Sequence, residues 1–521
     1  MHVSVLKRSL IVTMLHRADL CCSTSRGRFT PRSTLIQSAV HASTRLSGCY
    51  GSARCSSNSC ALSATGSRRV VCHAVGRAMW ARGTPEPDDG NNGGSMAATI
   101  TEEITGCNTV PELETVFIEH SGSFDYIHAS AALVKYAKLP GSSKGSAFFS
   151  KLASVWQQQL PAATRRECAN VLWACSKLGS AQHPVWAETW RAFIDLIRKE
   201  LIGGQTPSLQ AQELSSVLYA CAKLQQQLHP NELLLLLEAF LHPDVVATAV
   251  PQAVANVIWS MGRLSIEPAL KAEVSQELLQ RLLAPEMLTV AAAGSGQAVS
   301  NVLVGLVRMC TGPSPLLPTA VAQGYAGELL SGVQLGRVGS WDPQPVTNSL
   351  WALGELQLRD DRFIRASAAA AQKWLPRSSP REVSQAATAC AQLQYQDEHF
   401  MGMILQRAEQ ILQLGADTGR RSGSRRLPAW ERDSIPSMCC VSVVLLDLKG
   451  LADGARKLVA DSNIKQQGRT HPSNLRRLWV FHSWLLEHQL LDGKGLEGLV
   501  TQKQLQQGAK EAVEWGNKTS L

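Results

Sequence analysis

One short segment, written seven times between residues 131 and 393, constrains this chain more than anything else in it. The copies read AALVKYAKL (131–139), NVLWACSKL (170–178), SVLYACAKL (216–224), NVIWSMGRL (256–264), NVLVGLVRM (301–309), NSLWALGEL (348–356) and QAATACAQL (385–393). Their last residues lie 39, 46, 40, 45, 47 and 37 apart. A unit of about forty residues that recurs in this way implies stacked repeats, because one unit cannot bury its own apolar face and must be covered by neighbours.

The segment is a helix by periodicity. Counting each copy from its first residue as position 0, apolar residues fall at −2, +1, +2, +5 and +8. In the second copy these are Cys168, Val171, Leu172, Cys175 and Leu178; in the fourth, Val254, Val257, Ile258, Met261 and Leu264. At about 100° per residue the five positions share one arc, and nothing in the pattern alternates as a strand would. Further amphipathic stretches lie between copies: 186–202, 231–241, 269–283, 363–375 and 399–414. Turn-forming Gly, Pro and Ser cluster at the joints. The expected fold is therefore all-α, a right-handed α-solenoid of about seven helical-hairpin repeats with a small helical C-terminal region.

The opposite arc is polar. Position −4 carries Arg166, Gln212, Gln252, Gln297, Gln344 and Arg381, and position 0 carries Asn170, Ser216, Asn256, Asn301, Asn348 and Gln385. Position +3 is often aromatic (Trp173, Tyr219, Trp259, Trp351), and +4 is small in the last six copies. Position +7 is basic in five successive copies, Lys138, Lys177, Lys223, Arg263 and Arg308, then turns to Glu355 and Gln392. With stacked helices about 8–10 Å apart, the basic residues would line one groove. Lys and Arg suit phosphates, Gln and Asn offer paired donors and acceptors to base edges, and aromatic rings stack on bases. A small +4 residue would let a base approach the backbone. Each feature also has a purely structural reading: an Asn ladder between repeats, a Trp spacer, and a cation complementing a helix C-terminus.

Net charge adds nothing to this case. The formal charge of +9 comes from residues 1–82, which hold twelve basic residues and one acid, Asp19; the remainder has 39 basic and 41 acidic residues. Only the local distribution of charge speaks for a polyanionic partner. The Arg- and Ser-rich, acid-poor start reads as an organelle transit peptide, disordered over 1–75, directed to the chloroplast stroma or, alternatively, to the mitochondrial matrix. A linker and short helix (76–115), the repeats (116–415), a basic linker (416–434) holding Arg420, Arg421, Arg425 and Arg426, and a C-terminal helical region (435–521) follow. No run of eighteen apolar residues suggests a membrane span.

Catalytic signatures fail in context. GSSKG (141–145) matches a nucleophile-elbow string and GKGLEG (493–498) a dinucleotide-loop string, but neither follows a strand. The cysteines after residue 82 show no metal or disulfide spacing and sit largely on apolar helix positions. No enzyme activity, cofactor or metal is expected.

NVLWACSKLG, SSVLYACAKL, ANVIWSMGRL and TNSLWALGEL resemble the opening helix of octotricopeptide repeats, whose typical core is similar to N-x-L-W-A-L-A-K-L. The likeness covers about 120–415; the copies at 131, 301 and 385 depart from it in lacking the Trp. It implies binding of single-stranded organellar RNA and a part in transcript stability, processing, splicing or translation, with RNA-processing or ribosome-associated proteins as further partners. HPSNLRRLWVFHSWLLEHQL (471–490) resembles the helical segment before the RAP domain of FAST-kinase-like organellar proteins. The roughly thirty residues after it are too few for a RAP domain, so the expectation is a binding protein without intrinsic RNA cleavage or, alternatively, an incomplete gene model. The expected RNA-binding residues are Lys138, Arg166, Asn170, Lys177, Gln212, Ser216, Lys223, Gln252, Asn256, Arg263, Gln297, Asn301, Arg308, Gln344 and Asn348. The competing expectation is an armadillo-like scaffold whose Asn row grips an extended peptide.

Overall fold

The computed structural model describes residues 93–202, 210–226, 228–264, 276–311, 315–417, 429–462, 464–466 and 470–519. The described residues from Ser95 onward belong to one compact unit. The expected transit peptide lies outside the described residues, as do the four arginines of the expected basic linker. Among the described residues the structure is all-helical, with 23 α-helices and a single isolated bridge between Glu497 and Val500. No described helix is long and apolar enough to cross a membrane.

Each recurring segment forms the body of one helix: Tyr126–Lys138, Arg165–Leu178, Ala211–Leu224, Pro251–Arg263, Gly296–Thr311, Pro343–Glu355 and Pro380–Gln392. Each packs along the next in chain order, and the row continues through Ala429–Leu446 and Pro472–Glu487 to Gln502–Thr519. The apolar arc lies where periodicity puts it. Val171, Leu172, Val257 and Ile258 are fully buried, and each contributes roughly 1.5–3 kcal/mol of apolar burial.

The helices Pro251–Arg263 and Gly296–Thr311 approach each other closely. A Cβ on Gly305 would lie 2.7 Å from the Ile258 carbonyl oxygen, and one on Gly262 would lie 2.4 Å from that of Gly305. Only glycine fits there, because the two backbones are in contact.

Helix starts and stops are locally encoded. Proline occupies the first turn of the helices at 251, 343, 380 and 472, where its missing N–H has no helical partner to lose. Ser379 and Glu382 form a capping box ahead of the seventh copy. Six helices end in one motif. Gly179, Gln225, Gln357, Gln394, Asp447 and Gln489 have φ between 50° and 68°. The next N–H then donates to the carbonyl five residues back: Ser180 to Cys175, Gln226 to Cys221, Leu358 to Leu353, Tyr395 to Cys390, Leu448 to Val443 and Leu490 to Leu485, at 2.9–3.1 Å. This left-handed cap satisfies carbonyls that a helix C-terminus leaves open. It recurs at Asp447 and Gln489, so the helices ending there repeat the geometry although their sequences lack the Asn and Trp of the earlier copies.

The partner helices are less regular than the sequence suggests. Pro184–Ile202, Pro230–Phe240 and Glu398–Asp417 match expectation. The stretch 363–375 does not form one helix. It breaks into Asp361–Ala369, Ala371–Trp374 and a 3-10 turn at Leu375–Arg377. The break allows Trp374 to be fully buried with its indole N–H donating to the Ser367 carbonyl at 3.0 Å. Of 269–283, the described part is the helix Gln276–Leu282. Ala147–Gln159 and Thr319–Ser331 complete the first and fifth units, and extra short helices, Pro243–Ala247 and Pro285–Ala292, follow the partner helices of the third and fourth.

Candidate nucleic-acid interface

Packing the recurring helices in register brings their +7 residues side by side. Lys138 Nζ lies over the Trp173 ring of the next helix at 5.6 Å, and Lys177 Nζ lies over the same ring at 5.5 Å. The Arg263 and Arg308 guanidiniums lie over the Trp259 ring at 5.4 and 5.5 Å. Tyr219 packs against Trp259, with ring centroids 5.1 Å apart. Among the described residues, Lys177, Lys223 and Arg263 form no ion pair.

The cations feel one another. Burial, then Lys177 and Arg263, push the half-buried Lys223 ammonium down to about 8. Partial burial, then Lys135 and Lys177, lower Lys138, although its side chain reaches solvent. A positive group whose proton is loosened by like charges and by lost water is a group that gains from an anion placed beside it.

Two turns back along each helix lie the amides. Gln252 Nε2 donates to Asn256 Oδ1 and Gln297 Nε2 to Asn301 Oδ1, both at 2.7 Å; Gln212 Nε2 donates to the Ser216 hydroxyl at 3.2 Å. Asn170, Asn256, Asn301 and Asn348 are half-buried, Ser216 is buried, and Arg166 and Gln344 are exposed. The structure thus joins three of the expected −4/0 pairs and places the five +7 cations in one row, about 10 Å further along the same helices. Arg166 and Asn170 are not hydrogen-bonded to each other, and neither are Gln344 and Asn348.

Several structural readings of this arc are decided. The Asn residues do not form a ladder between repeats: in the fourth and fifth copies the Oδ1 atom is taken by glutamine of the same helix. The small +4 residues do not open the backbone to a base. Ala174, Ala220, Ser260, Ala352 and Ala389 are buried, as is Gly305, which lies against Ile258 of the preceding helix. The C-terminal role of the cations holds for Arg263, whose Nε donates to the Ala222 carbonyl of the preceding helix at 3.0 Å.

The row changes character after Arg308. Glu355 is only 8% exposed, and its carboxylate accepts from Gln392 Nε2 at 2.9 Å. Burial raises its pKa, opposed by that hydrogen bond. In the next two helices the equivalent positions hold Leu445, buried, and Glu487. Sequence reading had missed Lys135, which faces Lys138 and whose Nζ donates to the Thr105 carbonyl at 2.6 Å. The signal was present as a second lysine one turn before the +7 position.

The remaining motifs are structural. In GSSKG, the Ser143 carbonyl and N–H both bond the buried Tyr136 hydroxyl at 2.9 Å, so the segment is a turn between two helices. GKGLEG is a loop in which Gly493, Gly495 and Gly498 all have positive φ. All eight described cysteines are buried and unbridged, and burial pushes the Cys168 and Cys390 thiols up to about 12.

No protein-family model matches the chain, and no curated protein sequence matches it.

Proposed function

We propose that this protein binds single-stranded RNA along the polar arc of an α-solenoid. The single observation that carries the proposal is the row Lys138, Lys177, Lys223, Arg263 and Arg308, one cation per repeat from five successive helices, brought side by side, with Lys138 and Lys223 loosened by burial and by neighbouring cations. The hydrogen-bonded Gln–Asn pairs beside it leave the glutamine carbonyl and the asparagine amino group without partners among the described residues, a donor and an acceptor suited to a base edge. The likeness of the recurring helix to octotricopeptide repeats, and the acid-poor, Arg- and Ser-rich first 82 residues, support action in an organelle, the chloroplast stroma first and the mitochondrial matrix second. The protein acts by occupancy of a transcript, without turning it over.

The test is salt-titrated binding of single-stranded RNA. If five phosphates are neutralised, log K falls with log salt at a slope of about −3.5. Reversing Lys177, Lys223 and Arg263 together to glutamate abolishes binding. Full RNA affinity in that variant removes the row from the mechanism. Binding of an extended peptide that is lost on Asn256→Ala, with no RNA binding, favours the scaffold reading instead.

A further inference from the structure

Trp173 and Trp259 stand where the recurring motif places its aromatic residue, and a ring in a nucleic-acid groove invites a base-stacking role. The geometry does not leave these rings idle. Trp173 is half-buried and carries two ammonium groups at 5.5–5.6 Å, one from its own helix and one from the helix before. Trp259 is half-buried, packs against Tyr219, and carries two guanidiniums at 5.4–5.5 Å, one from its own helix and one from the helix after. Four of the five cations of the row therefore rest on just two indoles. The fifth, Lys223, lies between the two groups and has Lys177 and Arg263 as its charged neighbours.

Such an arrangement solves a physical problem. Long cationic side chains carry large rotamer entropy, and like charges on adjacent helices push one another toward solvent. An aromatic face attracts a cation through its quadrupole without neutralising it, whereas a carboxylate would cancel the field needed for an anion. The indole can therefore hold the charge in place and leave it available.

We infer that Trp173 and Trp259 are positioning residues, each of which fixes two cations of adjacent repeats on one ring for contact with a phosphodiester backbone, and that they do not serve as stacking platforms for bases. The inference rests on the RNA reading and sharpens it: at these repeats the surface recognises the backbone, and base discrimination is left to the amide pairs.

The experiment compares two probes on the full chain, a single-stranded RNA oligomer and an abasic phosphodiester oligomer of the same length. Trp173→Leu and Trp259→Leu should each weaken binding of both probes by a similar factor, about three- to tenfold, and flatten the salt slope. Trp173→Phe, which keeps an aromatic face, should recover most of the loss for both. A variant that loses RNA affinity but binds the abasic oligomer as well as the unaltered chain does overturns the inference and makes the ring a base platform. Failure of the unaltered chain to bind either probe overturns the RNA reading itself, and this inference with it. Should the leucine variants fold poorly, the chain labelled with 5-fluorotryptophan serves instead. Lys138→Met should move the Trp173 resonance and Arg308→Met that of Trp259. The abasic oligomer should shift both resonances as far as RNA does; shifts produced by RNA alone refute the positioning role.

Discussion

Replacing Lys223 by methionine is expected to stabilise the fold and weaken RNA binding together. Lys223 is half-buried between Lys177 and Arg263, and its ammonium is pushed down from 10.5 to about 8, by burial first and then by these two charges. The folded state thus binds this proton less tightly than the unfolded chain does. Below pH 8 the lysine is charged in both states, and the folded state bears the whole penalty. Between pH 8 and 10.5 the folded protein sheds the proton while the unfolded chain keeps it, and the penalty is relieved as pH rises. Because the group is partly solvated and screened by salt, we take the net effect as about 1 kcal/mol and not the full shift. Methionine keeps the apolar stem and removes the charge. Repeat arrays do not unfold as one unit, so the measure is hydrogen exchange in the helix Ala211–Leu224. At pH 7 the variant should exchange about fivefold more slowly than the parent there. The gap should close by pH 10, and the RNA salt slope should lose about 0.7. Faster exchange in the variant, or a gap unchanged between pH 7 and 10, would refute the account of Lys223 as a strained cation.

Three other outcomes follow from the packing. Gly305→Ala drives a methyl group into the Ile258 carbonyl and should lower the stability of the helix Gly296–Thr311 by about 1–3 kcal/mol in hydrogen exchange, whereas Gly324→Ala, with open space around it, should be neutral or stabilising. Gln357→Gly relieves a left-handed backbone at φ 52° and should stabilise by up to about 1 kcal/mol, visible as slower hydrogen exchange in the helix Pro343–Glu355. Glu355→Gln should raise the melting temperature at pH 7. Burial holds the Glu355 carboxyl above its ordinary range, so its ionised form destabilises the fold, and the penalty shrinks as pH falls through the folded and then the unfolded value; the gain should be absent near pH 4.

The helices were legible because their signals are local. The arc running through Val171, Leu172 and Cys175, the prolines that open helices and the Gly179 stop each act within a turn or two of chain. The partner helices were legible only where the apolar pattern was strong. Thr319–Ser331, with Gly324 and Gly327 inside it, gave no such pattern and is held by its neighbours. That the C-terminal helices continue the row was hidden for a related reason. Ala429–Leu446 and Pro472–Glu487 share the backbone stop of the earlier copies but not their side chains, and a six-to-one hydrogen bond leaves little trace in sequence.

The polar arc divides the same way. Sequence alone established which residues share a helix face, since that follows from 100° per residue and nothing else. It named Lys138, Lys177, Lys223, Arg263 and Arg308 as equivalent. Tertiary structure decided what each position touches: that +4 is buried in the packing, that Asn256 and Asn301 bond within their own helices, and that Trp173 and Trp259 each carry cations from two helices. Periodicity sets direction around one helix axis. Distance to a neighbouring helix depends on how small residues such as Gly262 and Gly305 let the backbones close, and that is a property of the packed pair.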